Sequence, residues 1–241
     1  MRDATIDQRS NMRLDGKVIV VTGAFGQLGR AVTDALLHLH ARVAMLDVHD
    51  GRAPDGAHAW RVDLASLDDT RTAMNEIAAQ CGRIDGLVNI AGGFTWTTLD
   101  DSDDLSEWQR MVAINTTTCV TASKAALPHL VQSGGARIVN IGAASAVRAT
   151  AGMGAYAAAK SAVARFTEAL SEELKVRNIT VNAVLPGIID TPTNRQDMPD
   201  ADFDAWVTPQ DVAGVIAFLL SDAARSITGA LLPVTGGLMR T

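Results

Sequence analysis

Short apolar runs rich in Val and Ile recur along this chain, and helical patterns separate them. Candidate strands lie at 17–22, 42–47, 58–62, 86–90, 136–141, 179–184 and 231–234. Several have no polar face, which is how a strand buried on both sides reads. Between them, 28–40, 67–81, 106–132, 154–177 and 209–221 carry Ala, Leu and Glu at helical spacing. Such alternation over the whole length predicts an α/β fold: a doubly wound parallel sheet of about seven strands, with helices on both faces.

The chain has 241 residues, 47% hydrophobic and 20% charged, which excludes a disordered tail or a coiled coil. With no repeat, low-complexity tract or linker, residues 14–241 are expected to form a single domain. The net charge of −6 leaves no basic excess to neutralise phosphates, so no nucleic-acid partner is expected. The cysteines, Cys81 and Cys119, form no CxxC or Cys/His cluster. Neither a disulfide framework nor a metal is expected, and a reducing cytoplasm is the default. No apolar run is long enough to span a bilayer, so no membrane association is expected. Residues 1–13 read as a disordered polar arm without the apolar core of a secretory signal. Met12 precedes a stretch that itself looks like a protein start, so translation from Met1 and from Met12 are both open.

The first strand runs into Thr22-Gly23-Ala24-Phe25-Gly26-Gln27-Leu28-Gly29, and a helix follows. In that context glycines allow a tight turn and let a pyrophosphate approach backbone amides at the positive end of a helix. Gly23, Phe25, Gly26, Gln27 and Leu28 are therefore candidate cofactor contacts. The second strand ends at Asp47, which can accept hydrogen bonds from both ribose hydroxyls and would repel a 2′-phosphate. Val48 supplies no compensating charge, so NAD (NADH) is favoured over NADP. Asp63 and Leu64 could flank the adenine. Asn89, Ala91 and Gly92 end the fourth strand, where small residues leave room beside a cofactor.

These motifs, with Asn115, Tyr156-Ala-Ala-Ala-Lys160, Pro186–Pro192 and Val234–Gly237, resemble the short-chain dehydrogenase/reductase family over residues 14–238. The resemblance implies a Rossmann-type fold. It implies Tyr156 as general acid in reduction and base in oxidation, Lys160 on the nicotinamide ribose, and Asn115 holding a relay water. It also implies that Pro186, Gly187, Ile189 and Thr191 border the nicotinamide, with Thr191 and the Ile189 backbone orienting its carboxamide. Independently, Tyr156 and Lys160 stand four apart and share a helix face. An ammonium about 4 Å from the phenol would lower its pKa by at most about three units.

Two departures from the family pattern stand out. Gln27 occupies a position where the commoner short form has glycine. Ala143, thirteen residues before Tyr156, occupies the place of the family's catalytic serine. Losing such a donor can cost roughly 2.7–4 kcal/mol. Ser145 could replace it, since residues two apart on an extended segment point the same way. Alternatively, Tyr156 acts alone, or the substrate needs no such donor. Ala143, Gly152-Met153, the run 190–206 and Gly92-Gly93-Phe94 resemble the dihydropteridine reductase subgroup, which implies NADH-dependent pterin reduction as an alternative. A catalytically weak dinucleotide-binding regulator is a third reading.

Residues 192–208 are expected to cover the substrate. Phe94, Trp96, Met153 and Trp206 are candidates for an apolar pocket, and Arg148 and Arg195 for a polar substrate group. Alanine-rich faces (Ala122, Ala125, Ala126; Ala155, Ala158, Ala159, Ala162) suggest close helix packing. By the resemblance, those helices would pair into a homotetramer or homodimer.

Overall fold

The computed structural model describes residues 12–101 and 103–236. The predicted arm, apart from Met12 and Arg13, and Gly237 of the C-terminal motif lie outside them. Strands β1 (Val18–Thr22), β2 (Arg42–Asp47), β3 (Ala57–Arg61), β4 (Gly86–Asn89), β5 (Arg137–Ile141), β6 (Thr180–Pro186) and β7 (Leu231–Val234) match the expected positions within two residues at each end. They form one parallel seven-stranded sheet in the order β3-β2-β1-β4-β5-β6-β7.

Alternation along β1 divides the core. Ile19 and Val21 face Leu28, Val32 and Leu36 of α1 (Gln27–His38) and Val212, Ile216 and Leu219 of α7 (Pro209–Leu220). Val18 and Val20 face the opposite layer, with Met74 and Ile77 of α2 (Leu67–Cys81). Each such buried aliphatic side chain contributes about 1.5–3 kcal/mol. β1, β4, β5 and β6 are buried along their whole length, as apolar runs between two helical layers should be. β3, at one edge, leaves His58 and Arg61 exposed. Successive strands are added outward from β1 to β3 on one side and from β4 to β7 on the other, so the winding reverses between β1 and β4. That opens a crevice at their carboxyl ends, the usual ligand position in open α/β sheets.

The expected helix over 106–132 is instead two helices, α3 (Ser106–Val112) and α4 (Thr118–Ser133), joined by a wide π turn at Ala113–Thr117. The Asn115 side-chain amide donates to Met111 O at 3.1 Å, the carbonyl that Asn115's own N–H would use in a regular α-helix. The turn therefore widens, and Thr118 N bonds Ala113 O, five residues back. The next long helix, α5 (Gly154–Leu174), closes in a tight turn at Lys175–Arg177. A short helix not anticipated, α6 (Pro192–Asp197), begins with Pro192 behind a Thr191 cap whose hydroxyl accepts from Asn194 N.

Candidate functional site

A cleft of about 1360 Å³ opens over the carboxyl ends of the strands. That exceeds the ~300–1,000 Å³ of a single small-ligand pocket, leaving room for a dinucleotide and a second molecule. Its first wall is the turn after β1. Gly23 sits at φ +61, and a Cβ there would lie 2.9 Å from the Ala91 backbone. A Cβ on Gly29 would lie 2.3 Å from Gly23 O. Only glycine lets this turn close against both the helix and the neighbouring strand end. Thr22 Oγ1 joins the two strand ends by accepting from Ile90 N at 3.0 Å and Ala91 N at 3.1 Å. Gly26 caps α1 without a side-chain bond, and no acidic residue occupies the first turn. Free amides and a positive helix end thus face the cleft beside Gln27 and Leu28. This cradle fits a dinucleotide pyrophosphate.

Asp47 ends β2 at the cleft wall and is 8% exposed. Its carboxylate accepts from Phe25 N and His49 N, both at 3.0 Å. A carboxylate has about four acceptor positions, so two remain for ribose hydroxyls. Asp63 accepts from Ala65 N at 2.9 Å and lines the same end, with Leu64. Two expected contacts are absent from the wall. The Phe25 ring is instead turned against Gly51 and lies under the Arg30 guanidinium at 5.3 Å. Asn89 is a buried structural amide, donating to Ser123 Oγ at 3.0 Å and Asn140 Oδ1 at 2.8 Å. Asn89 points into the protein from the sheet, while the Phe25 backbone is held by its bond to Asp47 with the half-buried ring turned aside.

The cleft centre brings together Tyr156, Lys160, Asn115, Ala143 and Ser145 with Ala91, Gly92, Pro186, Gly187, Ile189 and Thr191. Lys160 is 5% exposed and donates to Ile141 O at 2.8 Å. Its nitrogen lies 6.0 Å from the Tyr156 ring centre. Burial pushes the Tyr156 phenol up to about 12 and drives Lys160 down to about 8. The expected depression of the phenol by the lysine is therefore not what these side chains produce. Burial is the cause in both groups, and Lys160 sheds its proton more readily than a solvated lysine. Asn115 holds the strand-end loop, accepting from Gly93 N at 3.2 Å and donating to Gly93 O at 2.9 Å.

Ala143 is extended, but the next residues form a tight turn, Ala144–Ala146. The extended segment invoked to align Ser145 with position 143 does not exist. Ser145 nevertheless lines the cleft, and its hydroxyl is buried without a hydrogen-bond partner.

At the far end Phe94, Trp96 and Met153 line the cleft, whereas Trp206 packs on Phe203 at 4.8 Å. Arg148 is exposed away from the cleft. Arg195 is bound to Asp190 at 2.6 Å and holds that carboxyl below its usual range, so it does not reach inward. From the covering segment, Thr193, Asn194, Asp197 and Met198 do line it. His49 and Ile188 also line it; they directly follow strand-end positions already singled out, and that adjacency was the available signal. Among the described residues, no group of three or more His, Cys, Asp or Glu could hold a metal ion. Nor is any helix among them long and apolar enough to cross a membrane.

Comparison with known proteins agrees with this geometry. The model of a family described as short chain dehydrogenase matches residues 17–202. A 2-(S)-hydroxypropyl-CoM dehydrogenase 3 of Xanthobacter autotrophicus is 31% identical, with 94% of this chain and 98% of that protein covered. Aldohexose dehydrogenase of Thermoplasma acidophilum superposes with a TM-score of 0.85 at 30% identity, covering 95% of both chains. An NAD+-bound xylitol dehydrogenase superposes with a TM-score of 0.85 at 25% identity, covering 92% of this chain and 99% of that one.

Proposed function

The chain belongs to the short-chain dehydrogenase/reductase family of oxidoreductases, and from that premise we propose that it is an NAD(H)-dependent enzyme interconverting a small carbonyl compound and its alcohol. The observation that carries this reading is Tyr156 in the cleft, with Lys160 one helical turn away on the same face and a phosphate-fitting turn beside them. When bound, the dinucleotide supplies hydride to the substrate carbon or takes it away. Tyr156 gives its hydroxyl proton to the carbonyl oxygen as that carbon gains hydride, and in the reverse direction it takes the alcohol proton. The phenol carries its proton at neutral pH, as the donating role requires. Lys160, fixed on Ile141 O, keeps two N–H donors for a ribose and, titrating near 8, can pass a proton onward. Asn115 holds the Gly93 loop beside it. The partnerless Ser145 hydroxyl is the donor available to a developing oxyanion.

Asp47 supports NAD over NADP, because a 2′-phosphate would meet a mostly buried carboxylate. The NAD+-bound relative is consistent with that choice. Ala143, which presents no hydroxyl to the cleft, favours a second reading in which hydride enters a ring C=N, as in pterin reduction.

Replacement Tyr156→Phe tests the proposal. Turnover should fall by about 10²–10⁴, while calorimetry shows NADH still bound, and more tightly than NADPH. Unchanged turnover would remove Tyr156 from the reaction. Tighter NADPH would overturn the role of Asp47.

A further inference from the structure

On the reading just given, the far end of the cleft also limits what the substrate can be. Ionisable groups on the cleft wall are Asp47, His49, Asp63, Asp197, Tyr156 and Lys160, with no arginine among them. The single lysine is buried and bound to Ile141 O, and on that reading its two remaining donors go to the ribose. Arg110 is taken by Glu107 and Thr95 and Arg195 by Asp190, and the exposed Arg148 does not line the cleft. Asp197, exposed on α6, adds negative charge at the entrance. An anionic group brought here loses water and meets no free cation, which is unfavourable.

The same end presents aromatic surface. Phe94 is 48% and Trp96 58% exposed. Phe94 meets Tyr156 edge-on, with ring centres 5.0 Å apart at 88°. A flat group lying on Phe94 is therefore next to the reacting phenol. Trp96 lies directly on Gly152, where a Cβ would come within 2.2 Å of the indole. Thr97 N donates to Gly152 O at 2.8 Å, joining the two loops. The indole is held in place before any ligand arrives, so little ordering cost remains to be met on binding. Met153, on the cleft wall next to Gly152, adds a polarisable surface suited to an aromatic ring.

We propose that the substrate is an uncharged carbonyl or alcohol bearing a flat aromatic group that rests on Phe94 and Trp96, and that carboxylate- or phosphate-bearing substrates are rejected. Calorimetry on the NADH-loaded enzyme tests this without turnover, using phenylethanol, its ring-carboxylated analogue and secondary butanol as probes. Phenylethanol should bind at least about tenfold more tightly than either of the others. Trp96→Ala should weaken phenylethanol about five- to tenfold and leave secondary butanol unchanged, and Trp96→Phe should restore most of the loss. Asp197→Arg should raise the affinity of the carboxylated analogue. The proposal is overturned if that analogue binds wild-type protein as well as phenylethanol does, if phenylethanol does not bind, or if Trp96→Ala weakens both alcohols alike. Failure of NADH to bind would fall on the cofactor reading instead, and the ranking of the three probes on the protein alone would still decide this one.

Discussion

At Lys160, burial works against charge. A free lysine titrates near 10.5, and this one near 8. Between those values the unfolded chain holds the extra proton, so folding stability rises with pH across that window. Below about 8 the cost of the buried ammonium is fully present. The shift corresponds to about 3 kcal/mol. Measured by urea unfolding, the stability of the wild type relative to Lys160→Met should therefore rise by about that amount from below pH 8 to pH 10.5. A constant difference would show that the folded lysine is solvated. The pairing of Tyr156 with Lys160 was legible in the sequence because two residues four apart on a helix must share a face. The direction of their pKa shifts was not, because it depends on how much protein closes over them. Phe25 and Asn89 taught the same lesson. Their places in the motif were visible, but whether a side chain turns toward the cleft is decided by contacts to Gly51 and Asn140, far away in sequence.

Strands and long helices were readable as elements, since period-two and helical patterns are local and each buries a defined face. The break between α3 and α4 was not readable. It depends on the Asn115 amide finding Met111 O and Gly93 O together, one local carbonyl and one brought in by the end of β4. Asn115→Ala should release that loop, with hydrogen exchange at the Gly93 amide about tenfold faster or more. Unchanged protection would mean that the Gly93 amide is held by something other than the Asn115 side chain. Thr191-Pro192 does carry a helix-start signal. Its helix, α6, is too short for apolar periodicity to announce it.

Across the whole molecule, the expected alanine-rich interface needs redrawing. Ala122, Ala125 and Ala126 belong to the core between α4 and the sheet, and Ala155 and Ala159 are also buried. What those helices turn outward is Trp108 and Val112 on α3, and Ala158 and Ala162 on α5. Self-association to a homotetramer through that surface is the state we propose. Sedimentation velocity at micromolar concentration should show it, and Trp108→Glu should lower the mass of the assembly; a wild-type monomer would contradict the proposal. The two sides of the cleft are also built differently. The β1 and β4 ends are tied to each other by Thr22 and by sheet pairing. The stretch carrying α6 leaves the sheet and returns through a narrow neck, where Ile189 pairs with Val207 and Asp190 N bonds Val207 O at 2.7 Å. Substitutions within 192–206 therefore alter the shape of the outer half of this chamber without touching the strand pairing that carries the inner half.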